Sequence, residues 1–215
     1  MTGAPGRFLT LEGPEGSGKT TQLAFLVEAL QREQIPHLVT REPGGTPLGE
    51  ELRRLLLQPE TATMNWEAEL LLMFAARAEH VSKRIQPALS AGQWVLCDRF
   101  TDATYAYQGG GRGVPFTTIQ ALEEWTLHGF KPDRTLLLDV PVALSLERIQ
   151  ARGALDRFEQ EPLDFFERVR QAYLQRYSLE PERITYIQAS SELDLVRAEI
   201  LEVFTQELKD WRAKK

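Results

Sequence analysis

The chain has 215 residues, of which 42% are hydrophobic and 26% are charged, a balance typical of one globular domain that buries a core. Its formal net charge of −6 disfavours nucleic-acid binding, which normally requires a basic face. The single cysteine, Cys97, excludes an internal disulfide framework and fits a reducing compartment. No apolar run reaches the ~20 residues that a membrane helix needs, and we recognise no secretion signal. We therefore expect a cytoplasmic protein without membrane attachment.

The first half of the chain is predicted to contain two short strands, each followed by a helix. A strand at 7–13 ends at a glycine, and the apolar residues after it recur every three or four positions, as on the buried face of a helix. A second strand at 37–45 ends in Pro-Gly-Gly and precedes a leucine-rich helix. A long helical pattern then covers residues 66–91, with a kink expected at Pro87 and an end at Gly92.

The second half repeats the alternation of strand and helix. The runs 94–98 and 135–140 are continuously apolar, as in strands that are covered on both faces, and 184–188 is the last predicted strand. Five strands separated by helices predict a three-layer α/β/α fold with a five-stranded parallel sheet, in one domain over residues 1–215. Ligands of such sheets bind beyond the carboxyl ends of the strands, so residues at those ends are the candidate site residues.

The first strand is followed by the sequence GPEGSGKT at residues 13–20, which matches the pattern G-x-x-x-x-G-K-[ST]. Glycines let successive backbone N–H groups point at phosphate oxygens, and the following helix adds the positive end of its dipole. Lys19 is predicted to neutralise the β- and γ-phosphates of a nucleotide, and Thr20 to bind Mg²⁺. The alternative is a glycine-rich turn that matches by chance. The predicted ATP-binding residues are Gly13, Pro14, Glu15, Gly16, Ser17, Gly18, Lys19 and Thr20.

Acidic residues also stand at the ends of other strands. Asp98 follows the apolar run WVLC and is predicted to join Thr20 at the magnesium ion, although a helix-capping role is the alternative. Glu42, in TREPGG, is expected beside the same crevice. Because the chain lacks an Asn-Lys-x-Asp guanine signature and any lever segment, these features favour small-molecule phosphoryl transfer over a GTPase or a motor.

Three separated motifs then carry a resemblance. The stretches TREPGGTPLGEELRRLLL, DRFTDATYAYQGGGRG and RGALDRFEQEPLDFFERVRQAYL together resemble bacterial thymidylate kinases, in order and in spacing, over nearly the whole chain. The resemblance implies ATP-dependent phosphorylation of dTMP to dTDP with Mg²⁺. It also implies a cytoplasmic homodimer and a mobile lid at approximately 148–162.

The resemblance assigns four residues to the phosphate and the sugar of dTMP. It implies that Arg99 grips the acceptor monophosphate, a task suited to the planar fork of a guanidinium, and that Arg53 lines the same phosphate pocket. Glu15 matches an acid near the 3′-hydroxyl. Tyr107 matches a tyrosine that packs where a ribose 2′-hydroxyl would project, which favours a deoxy sugar.

Other residues are assigned to the thymine base. Arg77 matches an arginine that reads a thymine carbonyl, Thr104 a small polar residue at the thymine edge, and Gln108 lies near the base. Glu42, beside the same crevice, is also predicted to bind dTMP. The family commonly has an aromatic residue that stacks on thymine four positions before the arginine. Here that position is Met73, which can cover a base softly; alternatively, a small rotation of the helix could present Phe74, the next residue, to the base.

A transition-state arginine is expected in the lid. Related families carry it either in the phosphate loop, where this chain has Gly16, or in the lid, where RIQARGALDR brings three arginines. We expect Arg152 and Arg157 to serve in catalysis and Arg148 to anchor the lid, although each could instead be an ordinary surface arginine. The predicted catalytic residues are Lys19, Arg99, Arg152 and Arg157.

The remaining features are interpreted as structural. Residues 109–111, three consecutive glycines, are expected at a loop tip, and Tyr105 and Cys97 in the core. The three histidines lack metal-ligand spacing and are expected to be structural or exposed. The rival hypotheses are a kinase for another nucleotide or for a deoxynucleoside, and a non-catalytic switch that binds ATP.

Overall fold

The core of the molecule is one parallel sheet, seen in a computed structural model that describes residues 5–61, 63–152 and 156–214, with Arg152 described by its backbone alone. The strands are β1 (Phe8–Glu12), β2 (His37–Arg41), β3 (Trp94–Asp98), β4 (Arg134–Asp139) and β5 (Ile184–Gln188). They lie in the order β2-β3-β1-β4-β5, and all neighbouring strands are parallel. The predicted five-stranded parallel sheet is confirmed.

Helices connect the strands and cover the sheet. Within the described residues they are α1 (Lys19–Arg32), α2 (Pro47–Leu57), α3 (Trp66–His80), α4 (Gln86–Ser90), α5 (Thr101–Thr104), α6 (Phe116–Leu127), α7 (Val142–Arg152), α8 (Leu163–Leu179) and α9 (Leu193–Arg212), with a 3₁₀ turn at Pro59–Thr61. None of the helices in the described ranges combines the length and the apolar character that crossing a bilayer demands.

The sheet is buried on both faces because side chains of a strand alternate between its two sides. On one face, Leu9 and Leu11 of β1 pack in a cluster with the buried sides of α1 and α9. On the other face, Phe8 packs with Val95 and Cys97 of β3 and with the segment that follows α3. Burial on both faces explains why the strand sequences are continuous apolar runs. The helical segments packed on each face confirm the three-layer arrangement.

The predicted long helix over 66–91 is interrupted before its proline. A π-helical turn, Val81–Ile85, joins α3 to α4, and Pro87 lies in the first turn of α4. A proline cannot donate a backbone hydrogen bond, and its ring crowds the carbonyl one turn earlier. Proline is tolerated in the first turn of a helix, which is where Pro87 lies in α4.

The glycines at 109–111 do not form the expected loop tip. They end a π-helical segment, Tyr105–Gly111, which packs against α8. A Cβ atom at Gly110 would lie 2.6 Å from the Cβ of Ala172 and 2.6 Å from the carbonyl oxygen of Arg168. Gly110 therefore allows close packing of two backbones, whereas a Cβ atom at Gly109 would meet the ring of Phe116 in α6 and one at Gly111 the ring of Phe165 in α8.

Candidate active site

The loop between β1 and α1 has the conformation that its glycines were predicted to allow. Gly13, Gly16 and Gly18 have φ angles of 136°, 70° and 90°, in a region that side chains other than glycine rarely adopt. Gly13 also passes close to β4, since a Cβ atom there would lie 2.2 Å from the carbonyl oxygen of Leu138. The loop is thus curled and closely packed at the carboxyl end of the sheet.

Lys19 folds back over this loop. Its Nζ donates hydrogen bonds to the carbonyl oxygens of Pro14 at 2.9 Å and Gly13 at 3.1 Å. Burial, together with the nearby charge of Arg99, lowers the pKa of Lys19 to about 8. A buried ammonium with no carboxylate of the described residues at hydrogen-bond distance is suited to an anionic ligand, because a phosphate would stabilise its charge.

Thr20 and Asp98 offer oxygen atoms at the same cleft, which also contains Lys19. Thr20 is exposed at the start of α1, and Oδ1 of Asp98 is buried without a hydrogen-bond partner among the described residues. Within the described ranges no group of three or more acidic, histidine or cysteine residues could hold a metal alone. A hydroxyl and a carboxylate nevertheless fit Mg²⁺, which usually takes one or two protein ligands and completes its shell with phosphates and water.

A second pocket opens beside the phosphate loop and encloses about 570 Å³ of space, which includes solvent at its mouth. The predicted acceptor residues that line it are Glu15, Glu42, Arg53, Met73, Arg77, Arg99, Thr104, Tyr107 and Gln108. Phe74 is not among the lining residues. Its ring is 2% exposed and packs in the core cluster of α3 and α6, so Met73 is the residue that faces the pocket.

Arg99 connects the two compartments. Its backbone is in the left-handed region, with φ of 72°, and its guanidinium donates to the carbonyl oxygen of Gly13 at 2.9 Å and to Oε1 of Glu15 at 2.5 Å. It also donates to the hydroxyls of Tyr107 and Tyr173, at 3.0 and 2.8 Å. Burial opposes its charge, but Glu15 and the other negative groups outweigh burial and raise the pKa of Arg99 well above its ordinary value. A permanent, oriented cation therefore lies between the loop and the pocket.

Glu12 is a buried acid that the sequence reasoning missed. It is the last residue of β1, and its two oxygens accept hydrogen bonds from the backbone N–H of Phe100 at 2.6 Å and from the hydroxyl of Tyr173 at 2.9 Å. Burial, and next the charge of Asp102, raise the pKa of Glu12 to about 8. Its position directly before the phosphate loop was the available signal, because strand-end residues were the candidates for the site.

Arg77 is held under the pocket by partners from several elements. Its Nε donates to Oε2 of Glu42 at 2.6 Å, and its Nη2 donates to Oγ1 of Thr104 at 2.9 Å and to the carbonyl oxygen of Phe100 at 3.1 Å. The guanidinium carbon lies 5.0 Å from the ring centre of Phe74 and 5.3 Å from that of Phe100. Nη1 is buried without a hydrogen-bond partner in the described part of the chain, so it is a donor available to a bound group.

Two further lining residues have partners of their own. Arg53 donates to the carbonyl oxygen of Pro43 at 2.9 Å, and burial, followed by the charge of Arg41, lowers its pKa. The amide nitrogen of Gln108 donates to Oε1 of the buried Glu69 at 2.7 Å. Gln108 is therefore fixed from behind, with the rest of its amide at the edge of the pocket.

The lid arginines are placed differently from expectation. Arg157 is buried: its Nε donates to the carbonyl oxygen of Leu56 at 2.9 Å, and its Nη2 lies 2.7 Å from Oε2 of Glu69. It lines neither pocket, because this ion pair turns it away from the phosphate loop. Arg148, expected only to anchor the lid, lines the cleft and donates to the carbonyl oxygen of Gly16 at 3.0 Å. The side chain of Arg152 lies outside the described residues.

A strand, a glycine-rich loop with its lysine and a helix, placed beside a pocket lined by arginines, define a P-loop phosphotransferase. Residues 11–200 match the family model described as thymidylate kinase. The thymidylate kinase of Pseudomonas putida strain GB-1 is 53% identical over 195 residues, which cover 91% of this chain and 93% of that protein. The chain belongs to the thymidylate kinase family.

Other relatives give the same result over similar lengths. The thymidylate kinase of Nitrosomonas eutropha is 54% identical over 198 residues, 92% of each chain. That of Alcanivorax borkumensis is 49% identical over 206 residues, which cover 96% of this chain and 99% of the relative. The similarity therefore includes both the phosphate loop and the second pocket.

Proposed function

We propose that this protein transfers the γ-phosphoryl group of ATP to dTMP, producing ADP and dTDP. The observation that carries the proposal is the position of Arg99, whose guanidinium bonds both to the phosphate loop through Gly13 and to the second pocket through Glu15 and Tyr107. A cation there can hold an acceptor phosphate close to a donor phosphate on the loop. Membership of the thymidylate kinase family makes ATP and dTMP the expected pair.

On the donor side, the loop and Lys19 bind the phosphates of ATP. The N–H groups of Gly13 and of residues 15–20, at the start of α1, provide positive potential, and Lys19 exchanges its carbonyl partners for phosphate oxygens. Thr20 and Asp98 would hold Mg²⁺. When it is bound, this ion neutralises charge on the phosphates.

On the acceptor side, the pocket selects a thymine deoxynucleotide. Nη1 of Arg77 donates to a carbonyl of the base, Thr104 and Gln108 lie along the base edge, and Met73 covers its face. Tyr107, held by Arg99 through its hydroxyl at 3.0 Å, packs against the sugar where a 2′-hydroxyl would project. Binding of dTMP over UMP follows from that contact.

During transfer, charge on the equatorial oxygens requires a guanidinium near the loop. Arg148 is placed at the loop by its bond to Gly16, and Arg152 follows one turn later on α7. We therefore assign the transition-state role to Arg148 or Arg152 and a structural role to Arg157. A lid at approximately 148–162 remains part of the proposal.

A homodimer is also part of the proposal. Helices α3 and α6 pack against each other, and both expose large apolar side chains: Trp66 is 39%, Leu71 55% and Trp125 73% exposed. Exposed apolar side chains on two packed helices are suited to contact with a second copy of the chain. A single domain over residues 1–215 and a cytoplasmic location complete the proposal, and the net charge of −6 favours neither nucleic acid nor an anionic membrane surface as a partner.

A panel of acceptors tests the function. ADP release is measured with ATP and Mg²⁺ in the presence of dTMP, dUMP, UMP, AMP or thymidine. We expect dTMP to be the best acceptor and UMP to be poor, and Lys19→Ala to be folded but inactive. Faster turnover of UMP, AMP or thymidine would indicate another kinase, and ATP binding without turnover of any acceptor would indicate a nucleotide-dependent switch.

A further inference from the structure

A continuous chain of buried polar side chains lies behind Arg77 and ends at His80. The His80 side chain is 0% exposed. Its Nδ1 lies 3.0 Å from Oε1 of Glu42, and its Nε2 lies 2.6 Å from Oγ1 of Thr40. The other oxygen of Glu42 accepts the bond from Nε of Arg77 at 2.6 Å. His80 thus contacts Arg77 through one carboxylate.

The donors in this chain follow from the chemistry of its members. An ionised carboxylate can only accept hydrogen bonds, so Nδ1 of His80 donates to Glu42. In the tautomer assigned in this way, Nε2 accepts from the hydroxyl of Thr40, 2.6 Å away. Each oxygen of Glu42 then has one donor, His80 on one side and Arg77 on the other.

This arrangement prevents a competing geometry. Nε and Nη2 lie on the same edge of a guanidinium, and a nearby carboxylate ordinarily binds both in a bidentate pair. In this protein Nη2 donates to Thr104 and to the carbonyl oxygen of Phe100 instead. If His80 released Oε1 of Glu42, that buried oxygen would lose its donor, and a second bond to Arg77 would be its nearest replacement.

We infer that His80 is a positioning residue for recognition of the nucleotide base. By holding Oε1 of Glu42, it restricts the carboxylate to Nε of Arg77, so that the guanidinium stays bonded to Thr104 and directs the unpartnered Nη1 to the base. Glu42, first assigned to dTMP itself, acts through Arg77. The inference rests on the proposed function, because it takes a pyrimidine carbonyl as the acceptor for Nη1.

The backbone around His80 is built to fit the imidazole. Gly45 has φ of 80°, and a Cβ atom there would lie 2.4 Å from Nε2 of His80 and 2.7 Å from Oγ1 of Thr40. The loop between β2 and α2 therefore closes directly on the Thr40–His80 bond. This close fit holds the ring in the one orientation that reaches both Thr40 and Glu42.

The test compares two nucleotides that differ only along the edge of the base facing Arg77. dTMP carries a 4-oxo group and an N3–H there, and 5-methyl-dCMP carries a 4-amino group and an unprotonated N3, while methyl group, sugar and phosphate are the same. Binding of each nucleotide to the full-length protein is measured by calorimetry. The readout is the Kd for 5-methyl-dCMP divided by the Kd for dTMP. We expect His80→Leu to reduce this ratio about tenfold, the equivalent of one hydrogen bond, with ATP binding unchanged.

Two conservative variants separate positioning from packing. Asparagine places an amide N–H near the position of Nδ1 and can still donate to Glu42, whereas glutamine reaches toward Thr40. His80→Asn should keep the preference for dTMP, and His80→Gln should lose it. Val81→Ala, which removes neighbouring core volume without a polar contact, is the matched control and should keep the preference at comparable stability.

The inference is overturned if His80→Leu keeps the wild-type ratio, or if the asparagine and glutamine variants have the same ratio. A loss of preference in Val81→Ala equal to that in His80→Leu also overturns it, because the effect would then be one of stability. If His80→Leu does not fold, the asparagine and glutamine pair decides. Failure of the proposed function is a separate result: the wild-type protein itself would then show no preference for dTMP.

Discussion

Replacing Gly110 with alanine tests whether the three glycines are required for close packing. Helical propensity alone predicts that this change stabilises the protein by about 1 kcal/mol. The new Cβ atom, however, would lie 2.6 Å from both the Cβ of Ala172 and the carbonyl oxygen of Arg168, about 1 Å inside the optimal contact distance. The two effects therefore have opposite signs, and the sign of the measured change distinguishes them.

The clash should win, because one of the two opposing atoms is a backbone oxygen of α8 that cannot rotate away. Overpacking in a core typically costs about 1–3 kcal/mol, and the upper part of that range leaves a net loss of about 2 kcal/mol after the gain in propensity. For a protein of this size we expect the Tm to fall by about 4–8 °C. Because the same segment carries Tyr107 and Gln108 into the pocket, the KM for dTMP should rise while that for ATP changes little.

Thermal unfolding followed by circular dichroism measures the first effect, and steady-state kinetics measure the second. The double variant Gly110→Ala/Ala172→Gly removes one of the two contacts and should recover part of the lost stability. The control variant is Gly113→Ala. Gly113 has a φ of 78°, and an added Cβ atom there would have no neighbour within 4 Å. This variant therefore measures the effect of backbone strain in the absence of a clash. A Tm of Gly110→Ala equal to or above that of the wild type would refute the packing argument.

Three further predictions follow from the site. Glu12→Gln should flatten the pH dependence of stability: the folded pKa is about 8 against an ordinary 4.5, so the folded protein retains a proton that the unfolded chain has lost, and wild-type stability falls as pH rises through this window. Urea unfolding at several pH values measures this, and an equal slope in both proteins would contradict it. Arg99→Ala should raise the KM for dTMP, and an increase confined to the KM for ATP would exclude its role at the acceptor phosphate. At least one of the variants Arg148→Ala and Arg152→Ala should lower kcat by ~10³-fold with little change in KM. Arg157→Ala should mainly lower the Tm. Normal kcat in both Arg148→Ala and Arg152→Ala would refute a catalytic arginine in the lid.

Features encoded by local spacing were predictable from the sequence. The loop at residues 13–20 has its chemistry in eight consecutive positions, and the strand before it and the helix after it are each defined by their own apolar periodicity. The alternation of strands and helices then restricts the sheet to a few possible topologies, because crossover connections between parallel strands are almost always right-handed. The sheet, its layers and the placement of Lys19 and Asp98 at the carboxyl edge of the sheet follow from that information.

Which face each side chain presents was decided only by tertiary packing. Met73 and Phe74 are neighbours in sequence, but α3 turns Met73 to the pocket and Phe74 to the core. Arg157 lies in a turn between helices and pairs with Glu69 of α3, and this pairing removes it from the phosphate loop.

The same reason applies to the glycines and to His80. Gly110 meets Ala172 of α8, and His80 meets Thr40 and Glu42 from the end of β2. Each of these contacts joins segments far apart in the chain, and their distance depends on the rotation and approach of two packed elements. Periodicity identifies that an element has a buried face, but the partner of a given buried atom is determined only when the elements come together.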